Sequence, residues 1–562
     1  MSTISATAVS ATASATATAT AATTAQSLDL VITAGLVHTM VAGAAPVTAI
    51  GIVDGMIAVT GTADEAAEWS ARERLDFGNA VLVPGLTDGH SHPIMGTDMT
   101  AGVDLSEVHT IEDARAALAE AAALLTRGDW QLAWGLDLNV FGDQPARGDL
   151  FDSVLGGLPL FIRLFDGHSA LANPAALRLS GVTGREVFTQ ASVVTVDADG
   201  MPTGLLEEFA AMELVQRHLP EVTAEQFGER LRQNLLAMSE TGLTGAHAMD
   251  FIGEPIDMLN GIEASGELPL RLRFSPWCNP GVTETTREAL LALQGVGGRR
   301  WAVDGVKMFI DGTIDGGTAW LSVPDSRGQS TASFWPNPGD YTAALRWFDD
   351  HNIPTATHAI GDAGLTHVLD SLAAIDRRAQ HRIEHIETAS PEIIGRFAGL
   401  GVVASMQPTH CTHYTRADET DNWSVRMGPE RAAHGWPTRD LRNAGALVAL
   451  GSDWPIAAAD PRRIMGASQL RREVGDLHDH PRQPDQAMTA LMALEGYTSH
   501  AAAAAGETGR AGIVAAGARA DFTVLGADPL AVTPDDLAHV PVVATMISGA
   551  MQFRGAGYSG AL

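Results

Sequence analysis

VLVPGLTDGHSH, residues 81–92, decides the reading of this chain: an apolar run punctuated by Pro84 and Gly85 ends in two histidines at i and i+2. Alternate residues of a strand face the same side, so His90 and His92 can leave one strand end in one direction. Seven further stretches have the same form of a short apolar strand. They are LTGAHAMD (243–250), LRLRFSPW (270–277), DGVKMFID (304–311), IPTATHAI (353–360), HRIEHIE (381–387), VVASMQPTH (402–410) and ALVALGSDWP (446–455). Helical stretches such as AEQFGERLRQNLLAMSE, YTAALRWFDDH and PEIIGRFAGL lie between them. Short strands alternating with helices predict parallel βαβ units, and eight of them predict an α/β fold of the (β/α)8 TIM barrel type.

The segments outside this pattern set the expected domain organisation. Residues 1–27 are almost wholly Ala, Thr and Ser and read as a disordered tail without the charged start and apolar core of a secretory signal. Residues 28–83 alternate β-branched runs with glycine turns, and 501–562 repeat that style, so the two ends are expected to form one flanking β-sandwich. The middle, 84–500, is expected to be the barrel, and the long gap at about 93–225 reads as an insertion subdomain over its mouth.

Composition narrows the function. Hydrophobic residues make up 45% of the chain, enough for a large core, and the net charge of −31 argues against a nucleic-acid partner. Cys278 and Cys411 are the only cysteines, so neither a disulfide framework nor an all-cysteine metal site is expected. No apolar run is long enough for a spanning helix, which predicts a cytoplasmic protein with no membrane partner. Homo-oligomerisation stays open.

Lys307 is the single lysine among 36 basic residues. Arginine serves at surface positions but stays protonated, so an amine kept at one place points to chemistry rather than charge; a leftover of composition is the plain alternative. Lys307, His358, His385 and Asp453 each fall at the carboxyl end of a predicted strand, where barrel active sites are assembled. With His90 and His92 they form a set of imidazoles, carboxylate and amine suited to zinc or a related divalent ion. Six groups exceed one tetrahedral site. Two ions would use them all if Lys307 added carbon dioxide, because the resulting carbamate is an anion with one oxygen for each metal.

The strings PGLTDGHSH, GVKMFIDGT, THAIGDAG, RIEHIE, SMQPTH and GSDWP resemble the amidohydrolase superfamily, and within it the YtcJ-like branch that includes N-substituted formamide deformylases. ETGRAGIVAAGARADFTVLGADPL (507–530) resembles the closing β-segment of that family. The resemblance implies His90 and His92 on one ion, His358 and His385 on the other, carboxylated Lys307 between them, and Asp453 touching an ion and the attacking hydroxide. One departure is IDGGTAW (314–320), where Gly317 precedes Thr318 at a place where many relatives carry an arginine.

The expected reaction is hydrolysis of a non-peptide carbon–nitrogen bond in a small-molecule amide by metal-activated hydroxide, with Asp453 as the proton-transferring group. A linear amide such as an N-substituted formamide is the leading substrate. A cyclic-amide hydrolase or deaminase of the same superfamily, or a catalytically silent metal-binding regulatory protein, are the alternatives. Asp137 and His168 in the insertion, Asp311 and Trp320 after the lysine strand, and Gln407 and His410 after the seventh strand are candidate substrate contacts, with loop-fixing or packing as the other reading of each. Trp134, Trp277 and Trp320 could wall the pocket or simply fill the core.

Overall fold

The computed structural model describes residues 27–555 apart from 107, 143, 166, 168 and 189–191. The tail read over 1–27 therefore lies, except for Ser27, outside the described residues, as does the candidate His168.

Each of the eight expected stretches carries a strand: Leu86–Ser91, Leu243–Ala248, Arg271–Phe274 resuming at Trp277–Cys278, Val306–Phe309, Thr355–Ala359, Arg382–His385, Val403–Met406 and Val448–Leu450. Consecutive members pair in parallel, with Ala246 beside Leu272, Lys307 beside Ala356, His358 beside Glu384 and Ser405 beside Ala449. The last meets the first at a parallel bridge between Ser91 and Trp454. There the Asp453 N–H donates to the His90 carbonyl at 2.7 Å and the His92 N–H donates to the Trp454 carbonyl at 2.8 Å. Several of these strands are buried at every position, as parallel strands covered on both faces must be. The helices between them supply that cover. Ala224–Glu240 starts at a capping box of Thr223 and Gln226 and turns Leu231, Leu235 and Met238 inward at helical spacing.

Two stretches differ from the expectation in detail. The run 81–90 is two strands: Val81–Pro84 lies antiparallel to Phe522–Leu525 in a separate sheet, and only Leu86–Ser91 joins the parallel set. Gly85 makes the switch, because a Cβ there would stand 2.2 Å from the Thr244 hydroxyl. The run 270–277 breaks at Ser275 and Pro276, where proline has no N–H to give a ladder.

The separate sheet draws on both chain ends. Its eight strands run in the hydrogen-bonded order Ala550–Arg554, Val542–Ile547, Phe522–Leu525, Val81–Pro84, Leu28–Val37, Val47–Val53 and Met56–Gly61, with Ala71–Asp76 alongside Leu28–Val37. Ile32, Ile50, Leu82, Phe522 and Met546 pack its core. Between the first and second parallel strands the chain builds a third, six-stranded sheet from Val103 to Glu207, with its own cluster around Leu118, Phe151 and Ile162. No described helix is long and apolar enough to cross a membrane.

Candidate metal centre

The carboxyl ends of the parallel strands bring the predicted residues together. His90 and His92 leave the first strand with ring centroids 5.3 Å apart. His385 lies 4.8 Å from the His90 ring and 4.4 Å from the His358 ring. Lys307 Nζ stands 3.4 Å from His90 Nε2, fully buried, over the face of Phe309. Asp453 sits at the centre: its Oδ1 is 3.1 Å from His92 Nε2 and 3.3 Å from His90 Nε2, and its Oδ2 is 3.8 Å from His410 Nε2 and 3.9 Å from His385 Nδ1. His385 and Asp453 both hold positive φ, 74° and 60°, a conformation unusual outside glycine. Such strain persists where the surroundings over-determine it, and here it turns two side chains of the cluster inward.

These groups approach without satisfying one another. His92 Nδ1, His410 Nε2 and Asp453 Oδ1 are buried with no hydrogen-bond partner. Among the described residues, His90, His92 and Asp453 form one set of donor atoms within 4.8 Å of each other, and His385, His410 and Asp453 form another. Buried polar atoms left in convergent pairs are costly unless something else completes them. Two imidazoles and a shared carboxylate in each set are the donors that divalent zinc-like ions take. The residues therefore fit a metal centre.

The protonation states agree. Burial, and then the neighbouring Lys307, press His90 down to about 4 and His358 to about 3, while burial and the adjacent His358 hold His385 well below its ordinary value. These three imidazoles are thus neutral, the form in which histidine binds a metal. Burial lowers the Lys307 amine to about 8, within reach of its uncharged form. Burial would raise Asp453, but His90, His92 and His385 outweigh it and keep the carboxyl ionised well below the usual range.

The predicted substrate contacts divide. His410 joins the cluster, its ring stacked 6.3 Å from His385, although it comes from the helix Pro408–Tyr414 and not from a strand. Asp311 is fully buried and accepts from the backbone N–H groups of Trp320, Ile360 and Gly361 at 2.8 to 3.0 Å, the loop-fixing arrangement, with Oδ1 3.9 Å from His358 Nε2. Trp320 packs its ring on His367, whereas Trp277 stands edge-on to Phe309, which in turn faces His358. Asp137 follows the strand Gln131–Leu136 of the insertion, half-buried and engaged by a neighbour. Gln407 is buried with its amide nitrogen unpartnered.

Several groups at the centre escape sequence reading. Glu384 accepts from His90 Nδ1 at 2.6 Å and is held by Arg382. Asp250, at the end of the second strand, is buried with Oδ2 accepting from the Met95 N–H at 2.6 Å and Oδ1 unpartnered, and burial pushes its carboxyl up to about 6. Glu387 accepts from the Trp423 indole at 2.8 Å, and burial, reinforced by Asp315, lifts its carboxyl to about 8. The usable signal was alternation in RIEHIE, which sets residues 382 and 384 on one face of a strand.

Comparison with known proteins gives a consistent relationship. A model of the amidohydrolase family matches residues 73–553. The chain is 26% identical to YtcJ of Bacillus subtilis over 534 residues, 92% of this chain and 98% of that one. It is 25% identical to the N-substituted formamide deformylase of Arthrobacter pascens over 557 residues, 95% and 99% of the two chains. Among solved structures, a metal-dependent hydrolase from Pyrococcus horikoshii is similar with a TM-score of 0.70 at 23% identity, over 90% of this chain and 99% of its own.

Proposed function

The chain belongs to the amidohydrolase family, a metal-dependent hydrolase of carbon–nitrogen bonds, and on that premise we propose that it cleaves a small linear amide, with an N-substituted formamide as the leading substrate class. The single observation that carries the reading is Asp453, whose two oxygens face two separate sets of imidazoles. His90 and His92 would hold one ion, and His358 and His385, with His410 beside them, the other. Lys307, buried and near its neutral form, would bridge them as a carbamate. Zinc suits this donor set. We read the eight parallel strands as a closed (β/α)8 barrel on the strength of the Ser91–Trp454 bridge, and the sheet shared by the chain ends as its flanking sandwich.

Divalent ions there supply Lewis acidity toward a carbonyl and lower the pKa of water toward neutrality. Asp453, kept ionised by its imidazole neighbours, is placed to accept a proton from water at Oδ1 and return it to the departing nitrogen. Water thus adds across the amide carbon, the carbon–nitrogen bond breaks, and a carboxylic acid and an amine leave. Trp277 and Phe309 form an aromatic wall beside Lys307 and His358, suited to an apolar substituent. The acidic charge of the chain favours a small molecule over nucleic acid.

The test is metal analysis followed by a panel of linear amides, cyclic amides and N-substituted formamides. Amine release from the formamides by metal-replete protein is the expected outcome. Metal-replete protein that turns over none of the panel would overturn the proposal.

A further inference from the structure

We propose that Glu384 is the positioning residue of this centre: its carboxylate, clamped by Arg382, fixes His90 in the one tautomer that offers Nε2 to an ion. The inference rests on the metal reading above. Glu384 Oε2 lies 2.6 Å from His90 Nδ1, and both side chains are completely buried. Arg382 reaches the same carboxylate twice, Nε to Oε1 at 2.6 Å and Nη2 to Oε2 at 2.9 Å. The guanidinium also reaches the Gly89 carbonyl and, at 2.7 Å, the Ser405 hydroxyl through Nη2, and His247 Nδ1 at 2.7 Å through Nη1. The guanidinium is therefore fixed by four elements, and the carboxylate it holds cannot swing away.

An ionised carboxylate only accepts hydrogen bonds, so the His90 proton must reside on Nδ1. The lone pair then sits on Nε2, the atom that lies 3.3 Å from Asp453 Oδ1 and 3.4 Å from Lys307 Nζ. Outer carboxylates orient metal-binding histidines in this way and raise their basicity. The pairing also explains why a glutamate is retained in a dry interior. Arg382 and Glu384 alternate on a single strand, so the ion pair joins two residues on one face of it.

Glu384→Gln is the discriminating variant. An amide has one accepting and one donating end, so a donor must face either the Arg382 guanidinium or the His90 Nδ1–H. The relief is transfer of the His90 proton to Nε2, which blocks that atom as a ligand. Zinc affinity measured by chelator competition should fall about 10- to 100-fold in Glu384→Gln and less in Glu384→Asp, which keeps an accept-only head. Nitrogen-15 histidine spectra of the metal-free wild type should show His90 protonated at Nδ1. Folded Glu384→Gln with wild-type zinc affinity, or an Nε2–H signal for His90 in the wild type, would overturn the proposal. If circular dichroism shows Glu384→Gln unfolded, the wild-type spectrum and Glu384→Asp decide it on the same terms. A wild type that binds no zinc would defeat the metal reading itself, an outcome distinct from zinc bound equally by wild type and variant.

Discussion

The two ends of the parallel strands treat charge in opposite ways. At the carboxyl ends, His92, His410 and Asp453 present buried atoms without partners. At the amino ends, a cavity of about 250 Å³ is lined by Arg271, Arg273 and Arg519 together with Asp304, Asp521 and Glu507, and there the charges are matched. Both Arg519 Nη atoms meet Glu507 at 2.6 Å, Arg271 grips Asp521 at 3.2 Å, and Arg273 lies 2.7 Å from Asp304. Matched charges hold a fold together, whereas convergent unmatched ones await a ligand. The parallel strands thus have one end at which charges are paired and another at which buried polar atoms converge unpaired.

The strongest way to break this contrast is at Lys307. Lys307→Arg keeps a cation but cannot form a carbamate, so metal content should fall by about one ion per chain and turnover by roughly a thousandfold or more; unchanged metal content by elemental analysis would contradict a two-ion centre. Asp453→Asn is next. Turnover should drop about 10²- to 10⁴-fold while most metal stays bound, and near-normal rates would remove Asp453 from proton transfer. His410→Ala separates two roles for one residue: lost metal marks a ligand, while raised KM with full metal marks a substrate contact.

At the opposite end the expected effects are on stability alone. Arg519→Met should cost about 1 to 3 kcal/mol in denaturant unfolding because Glu507 loses its bidentate partner, with kcat/KM unchanged. A loss of activity there would blur the division between faces. The smallest effect is the pH response of His500, which sits against the amino end of the last strand, at 3.1 Å from the Val448 N–H. Burial, then Arg442, presses it from 6.5 to about 4. The unfolded chain takes up its proton first as pH falls, so this contribution is complete above 6.5 and is lost as pH falls toward 4. His500→Gln should flatten that part of the curve, and melting at two pH values checks it.

How much of this was legible in the sequence differs by cause. The eight strands and the clustering of His90, His92, Lys307, His358, His385 and Asp453 were readable because each residue ends its own local apolar run, as His358 ends TATH and Asp453 follows VALGS. His410 was read only as a pocket residue, since its approach to Asp453 depends on how a helix folds back after its strand. Asp311 carried the same ambiguity: its three donors come from residues 320, 360 and 361, and no local pattern reveals that a carboxylate is already committed. Glu384 was masked by its neighbour, because His385 drew the chemistry while the partner of Glu384 stood nearly three hundred positions away at His90. The break of 81–90 into two strands depended on the hydroxyl of Thr244, equally remote.

Gly85 has a mechanical consequence. The chain passes from the end-built sheet to the first parallel strand with one residue between them, and that residue is pressed against Thr244 with no room for a side chain. A joint that short has no slack, so the two bodies travel as a single block and the imidazoles of His90 and His92 stay anchored to both.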